Sequence, residues 1–160
     1  MKKTKPTKTK SLEALLERAI AIAVEAHTGQ RDRAGRLYIL HPLRLMMNVR
    51  SDEEKIVAIL HDVVEDTPWT FADLRREGFP KYLLEALDCV TKREGESYED
   101  FVERSAKNPI ARRVKIADLE DNMDVRRLDT VTPKDGERLA KYVAAWRKLT
   151  ELEKRTAIKR

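Results

Sequence analysis

The run Ile56-Val57-Ala58-Ile59-Leu60-His61-Asp62-Val63-Val64-Glu65-Asp66 sets one imidazole and three carboxylates into an otherwise apolar helical stretch. An unpaired ion inside such a stretch costs several kcal/mol, roughly, even after relaxation, so something positive is expected among these side chains. Ser51 or Asp52 can cap the start, Glu53 and Glu54 suit the first turn, and Thr67-Pro68 stops the pattern. At about 100° per residue, Ile56, Val57, Leu60, Val63 and Val64 share one arc of a single helix, while His61, Asp62, Glu65 and Asp66 share the other. Acids at a helix C-terminus oppose its macrodipole by roughly 0.3–1 kcal/mol each. A bound cation would compensate; an exposed acidic face is the alternative.

A second acidic helix narrows that choice. Asn108-Pro109 reads as an N-cap followed by proline at the first helical position, and Ala111 to Leu128 continues without a breaker. On its wheel Arg113, Glu120, Asp124 and Arg127 mark the solvent side, and Asp118 with Asn122 lies roughly opposite, between Leu119 and Met123 on one flank and Val114 and Val125 on the other. Asp118 is therefore expected to point inward, either toward a cation and a polar substrate or toward Lys115 or an arginine. In Tyr38-Ile39-Leu40-His41-Pro42 the proline opens a helix and is expected to push His41 out of the right-handed helical region. His41, His61, Asp62 and Asp118 together make an N₂O₂ set without thiolate, a type that suits Mn²⁺, Zn²⁺ or Fe²⁺.

His41, then His61-Asp62, then Asp118 resembles the H…HD…D signature of HD-domain metal-dependent phosphohydrolases. The surrounding segments His27-Thr-Gly-Gln30, Gly35, Tyr38-Ile-Leu-His41-Pro42, Leu60-His-Asp-Val-Val-Glu-Asp-Thr67 and Lys115-Ile-Ala-Asp118-Leu-Glu-Asp-Asn122-Met123 resemble the hydrolase domain of the RelA/SpoT family, over most of the chain from about His27 to Met123. The resemblance implies an all-α fold, a single HD-domain helical bundle, that binds one Mn²⁺ and removes the 3′-diphosphate of guanosine tetra- or pentaphosphate. Carried over, His41, His61, Asp62 and Asp118 are metal ligands, Glu65 and Asp66 are the catalytic pair that positions and deprotonates water, and Asn122 contacts the nucleotide sugar. Chemistry supports such roles, since a cation acidifies water and a nearby carboxylate can take the proton.

Departures from the family pattern cluster where the nucleotide would bind. After Gly29-Gln30 the family usually carries an arginine, a second base and a serine before glycine, whereas this chain reads Asp32, Arg33, Ala34, Gly35. The family asparagine is usually followed by Met-Arg-Thr, and here by Met123-Asp124-Val125. Asp32 removes a cation–π contact and adds a negative charge beside a polyphosphate. Arg31, Arg33, Arg36 and Lys115 are the candidates to hold phosphate instead, because glycine-rich phosphate loops are absent. Two other readings keep the same centre: a phosphohydrolase for another nucleotide or NADPH, and a metal-loaded domain that senses nucleotides by binding alone. Glu65 and Asp66 argue for turnover.

At 160 residues and 41% hydrophobic content the chain is expected to form one domain with a real core, residues 11–160, without the synthetase domain that longer relatives carry. The net charge of +5 resides in Lys2, Lys3, Lys5, Lys8 and Lys10; beyond them 28 bases balance 28 acids. Nucleic acid is therefore not an expected partner of the body, and residues 1–10 read as a disordered basic tail. Cys89 is alone, and no membrane span or signal-peptide pattern appears, so the expected location is the cytoplasm. The remaining segments also read as helices: capping-box starts at Thr70 and Ser97, a stop at Gly78, and a long C-terminal helix from Thr132-Pro133 to about Lys154. Tyr142, Trp146 and Leu149 form an i, i+4, i+7 stripe expected in core or interface. His27, at a helix end, is expected to be structural or to support the ligand-bearing residues from behind, and the oligomeric state is open.

Overall fold

The computed structural model describes residues 10–128 and 130–158; most of the lysine-rich tail lies outside them. Among the described residues the chain is all-α, with nine α-helices, one 3-10 turn and a single isolated β-bridge between Arg31 and Leu37. The helices are α1 (Leu12–Ala26), α2 (Leu40–Asn48), α3 (Asp52–Leu60), α4 (Val63–Asp66), α5 (Phe71–Arg76), α6 (Lys81–Val90), α7 (Tyr98–Lys107), α8 (Pro109–Asn122) and α9 (Pro133–Ile158), with the 3-10 turn at Val125–Arg127. None of them is long and apolar enough to cross a membrane.

Helix α3 is the axis of the bundle. It packs against α1, α2, α6 and α8, and Ile56, Val57, Ala58, Ile59 and Leu60 are all at most 1% exposed, so it is sheathed all round rather than presenting one packed face. Ser51 caps it in a complete capping box with Glu54. The second Glu54 oxygen receives Arg113 of α8 at 2.5 Å, and Arg113 also reaches Glu153 of α9 at 3.1 Å. Arg113 therefore does not mark a solvent side: it ties α8 to α3 and α9, a role the wheel of a single helix cannot show.

The expected continuous helix from Ser51 to Asp66 breaks at His61-Asp62. The His61 Nδ1–H donates to the Ala58 carbonyl at 2.8 Å, competing for an acceptor that a continuing helix would use, and Asp62 (φ −100°, ψ −4°) restarts the chain as N-cap of α4. Helix α8 likewise ends at Asn122 and not near Leu128. Asp124 accepts from the backbone N–H and the guanidinium of Arg126 and so forms a local turn in place of further helix. His41, expected off the helical region, lies inside the first turn of α2 with Pro42 behind it; first-turn N–H groups have no intrahelical acceptor, which leaves room for a proline. As expected, Thr70 and Asp73 form a capping box, Gly78 (φ +96°) follows the end of α5, and α9 runs four residues past Lys154.

The α6–α7 connection is clamped by Arg104, whose guanidinium binds Glu96 at 2.6 Å and the carbonyls of Thr91 and Asp88. Arg104 holds the Glu96 carboxyl at a pKa of about 2, below its ordinary 4.5. A folded-state value below the unfolded one stabilises the fold above pH 4.5, and the contribution is lost as pH falls toward 2. Glu96→Gln should lower the melting temperature at pH 7 and flatten its decline between pH 5 and 3, read from thermal melts across that range.

Candidate metal centre and its cavity

Helices α2, α4, α6, α7, α8 and α9, with the loop that begins at Arg31, line a cleft of about 520 Å³, within the size range of small-ligand sites. Helix α2 brings His41, the α3–α4 break brings His61 and Asp62, and α8 brings Asp118. Ligand atoms of His41, His61 and Asp118, all buried, lie within 4.8 Å of one another. Asp62 completes the group, with Oδ2 at 2.8 Å from His61 Nε2 and 3.8 Å from His41 Nε2. Asp118 Oδ1 lies 3.3 Å from His41 Nε2 and 3.8 Å from His61 Nε2. The break after Leu60 matters here, because it brings Asp62 to the imidazoles while α4 carries Glu65 and Asp66 onward.

The donor chemistry fits a divalent cation. Each imidazole uses Nδ1 elsewhere, His61 on the Ala58 carbonyl and His41 on Asp121 Oδ2 at 2.7 Å, which directs both Nε2 atoms into the centre. Burial alone would lower the pKa of His41, but hydrogen bonds to Asp118 and Asp121, with the charges of Asp118 and Asp62, raise it to about 9. Asp118 is held well below the ordinary carboxylate value despite its burial, chiefly by Lys115 and the two histidines. The carboxylates around the imidazoles thus favour positive charge at the centre, and carboxylate plus imidazole donors without thiolate suit first-row divalent ions.

Around this centre stand groups that orient it. Asp121 is gripped by Arg44 through Nε at 2.6 Å and by Arg127 at 3.2 Å while it holds His41. The Tyr38 hydroxyl donates to Asp62, and its ring packs edgewise on His41 and against His27. Asn122 Nδ2 donates to Asp118 Oδ1 at 2.6 Å. Lys115 binds Asp118 Oδ2 at 2.8 Å and sits over the Phe101 ring at 4.5 Å, so Asp118 points inward and has both the lysine and the cavity as neighbours. Asp121→Asn should weaken divalent-metal binding about 10- to 100-fold with the helical content unchanged, measured by metal titration of the purified chain.

The expected catalytic pair lines the same cleft. Burial, with the charges of Asp62 and Asp66, raises the pKa of Glu65 against the Lys92 backbone N–H that its Oε2 accepts at 2.9 Å. Burial and Asp62 raise that of Asp66. The Arg31–Leu37 loop forms one wall. Gly35 (φ +71°) turns it, and Asp32 Oδ1 accepts from the N–H groups of Ala34 and Arg36, both at 2.9 Å, so Asp32 shapes the loop. Arg31 folds onto the Gly35 carbonyl, and Arg33 reaches Asp135 of α9 at 3.2 Å; both line the cleft, whereas Arg36 does not. His27 is buried at the end of α1 and bonded to Gln30. Leu149 is fully buried, with Trp146 and Tyr142 packed beside it, and Tyr142 also lines the cleft.

Sequence reasoning gave no role to Asp121, Tyr38, Arg44 or Arg138 and placed Arg127 in solvent. Asp121 was within reach: it follows Asp118 by three residues, hence on a neighbouring face of the same helix.

No family model matches the chain. It is 35% identical over 97 residues to the bifunctional (p)ppGpp synthase/hydrolase SpoT of Escherichia coli, covering 58% of this chain and 14% of that protein. It is 34% identical over 135 residues to a guanosine-3′,5′-bis(diphosphate) 3′-pyrophosphohydrolase of Haemophilus influenzae, covering 75% of this chain and 20% of that protein. The chain thus spans a fifth or less of the length of these relatives. Among solved structures it is similar to a metazoan orthologue of SpoT, described as hydrolysing ppGpp, with a TM-score of 0.68, 22% identity and coverage of 96% of this chain and 98% of that one; this likeness establishes a shared fold.

Proposed function

We propose that this chain, a RelA/SpoT-like HD hydrolase domain by its homology, hydrolyses the 3′-diphosphate of (p)ppGpp to release GDP or GTP and pyrophosphate. The observation that carries this is the convergence of His41, His61, Asp62 and Asp118 on one side of a nucleotide-sized cleft, in a chain whose relatives are named for that reaction. Those four residues would hold the cation, with Mn²⁺ the first choice. Bound there, it would acidify a water and polarise the phosphoryl oxygens.

The chain's own groups supply the rest. Glu65 and Asp66, with their raised pKa values, orient the attacking water and accept its proton. The water oxygen bonds to the phosphorus attached to the 3′-oxygen, that P–O bond breaks, and the 3′-oxygen leaves with a proton as the nucleoside hydroxyl. Asn122 faces the sugar, and Lys115, Arg31 and Arg33 hold phosphate oxygens. Asp32, bonded into its own loop, opposes a polyphosphate less than its charge alone implies. The setting is a cytoplasmic one, with a small nucleotide as partner.

A panel of phosphorylated nucleotides, including ppGpp, pppGpp and NADPH, offered to the metal-loaded chain and scored for phosphate and pyrophosphate, tests the reading. Pyrophosphate and GDP in equal amounts from ppGpp are expected. Orthophosphate from another nucleotide, with ppGpp untouched, would move the assignment to a different phosphohydrolase.

A further inference from the structure

We infer that Arg104 is a positioning residue for Glu65, acting through the peptide group between Thr91 and Lys92, and that it sets kcat without lining the cleft itself. The inference rests on the hydrolase reading above, in which Glu65 accepts the proton of the attacking water. Glu65 stands on α4, a helix of only four residues. Its side chain has one hydrogen bond among the described residues, from the Lys92 N–H to Oε2 at 2.9 Å, which leaves Oε1 for the water. Lys92 lies beyond the end of α6, in the connection to α7, so no helix fixes the direction of that N–H.

A peptide group is planar and trans, so its C=O and N–H point in opposite directions. The Lys92 N–H shares its plane with the Thr91 carbonyl, and the two ends have different partners. Glu65 accepts from the N–H, and Arg104 Nη2 donates to the carbonyl at 2.9 Å. Turning the plane toward one partner would break the bond to the other. The guanidinium also polarises the peptide group, which strengthens the N–H as a donor to the carboxylate. Arg104 is itself fixed on α7: Nε and Nη2 donate to Glu96 Oε1 and Oε2 at 2.7 and 2.6 Å, Nη1 donates to the Asp88 carbonyl, and the guanidinium carbon lies 5.5 Å from the centre of the Phe101 ring. The end of α6 is held as firmly. The hydroxyl of buried Thr91 donates to the Leu87 carbonyl at 3.0 Å, and that of Ser105 on α7 donates to the Cys89 carbonyl at 2.7 Å. The clamp at the α6–α7 connection thus ends on the carboxylate that takes the proton. A glutamine in place of Arg104 offers a single NH₂ and cannot grip a carboxylate and two carbonyls together.

The test uses the full chain with Mn²⁺ and ppGpp. Arg104→Gln should lower kcat about 10- to 100-fold, the scale of a misplaced reacting group, with KM within about threefold and metal affinity within about twofold. The same substitution made in Glu65→Gln should change kcat by less than about twofold, because the group it positions is already lost. A role in stability alone would instead give the full loss in both backgrounds, and that result overturns the inference. Arg93→Gln, which removes an exposed pair with Asp88 in the same connection, should leave kcat within about twofold. Where Arg104→Gln does not fold, Glu96→Gln takes its place in the same cycle, with a loss of at least about threefold expected in the native background and none in Glu65→Gln. Hydrogen exchange at the Lys92 amide, read without substrate, is independent of the hydrolase reading. Arg104→Gln and Glu65→Ala should each speed it at least about tenfold while the amides of Leu84 on α6 and Val102 on α7 keep their rates. Unchanged Lys92 exchange in Arg104→Gln overturns the coupling. If ppGpp is not turned over, the hydrolase reading fails and this exchange measurement alone decides whether Arg104 holds Glu65.

Discussion

Asp62→Asn should cut pyrophosphate release from ppGpp by about a thousandfold and leave the thermal melt close to that of the unmodified chain. A cation's contribution to such a reaction is several kcal/mol, and each 1.36 kcal/mol is about a factor of ten in rate. Asp62 stands 2.8 Å from His61 and accepts the Tyr38 hydroxyl. An amide oxygen can keep the tyrosine bond, so the fold survives while one anionic donor is lost from a centre that already lacks thiolates. The burial of Leu60 and Val63 on either side holds the backbone there irrespective of the side chain. Steady-state rates at saturating metal, with melting curves alongside, check it. Activity within tenfold of the unmodified chain would remove Asp62 from the centre.

Glu65→Gln should lower kcat by about a hundredfold to ten-thousandfold, the range of positioned acid–base groups, while metal affinity stays within twofold. This separation follows from position, since Glu65 is on α4 beyond the ligand-bearing break and takes the Lys92 backbone N–H instead of joining the imidazoles. Its pKa is raised by burial and by its acidic neighbours, so the proton-accepting form is lost, as pH falls, above the usual glutamate range. The acid limb of the rate profile should accordingly lie higher than an isolated carboxylate would give, and Glu65→Gln should displace it. A loss of metal binding equal to the loss of rate would instead make Glu65 a ligand.

How much of this was legible in the chain depends on what each residue's signal can carry. Helical periodicity and caps located most helices, and the polar quartet inside Ile56–Asp66 pointed to a shared positive partner because buried ions are expensive wherever they stand. Asp118 was placed inward correctly by its apolar flanks. The break at His61 was not legible: no glycine or proline marks it, and it depends on the imidazole of His61 turning back to its own helix and on Tyr38 holding Asp62 from 24 residues away. The end of α8 was marked by a turn-forming aspartate, Asp124, whose role emerges only with Arg126 as partner. Arg113 was misplaced because its partners, Glu54 and Glu153, come from other helices. The anchoring of His41 by Asp121, and of Asp121 by Arg44 and Arg127, likewise spans three segments that no local pattern connects.

The most direct test is the dependence of ppGpp hydrolysis on divalent cation in chain first stripped with chelator. The stripped protein should release no pyrophosphate, activity should return and saturate at one cation per chain, and His61→Ala should show no recovery at the same metal concentration. Hydrolysis by metal-free protein at the rate of the loaded one, or full recovery in His61→Ala, would contradict it.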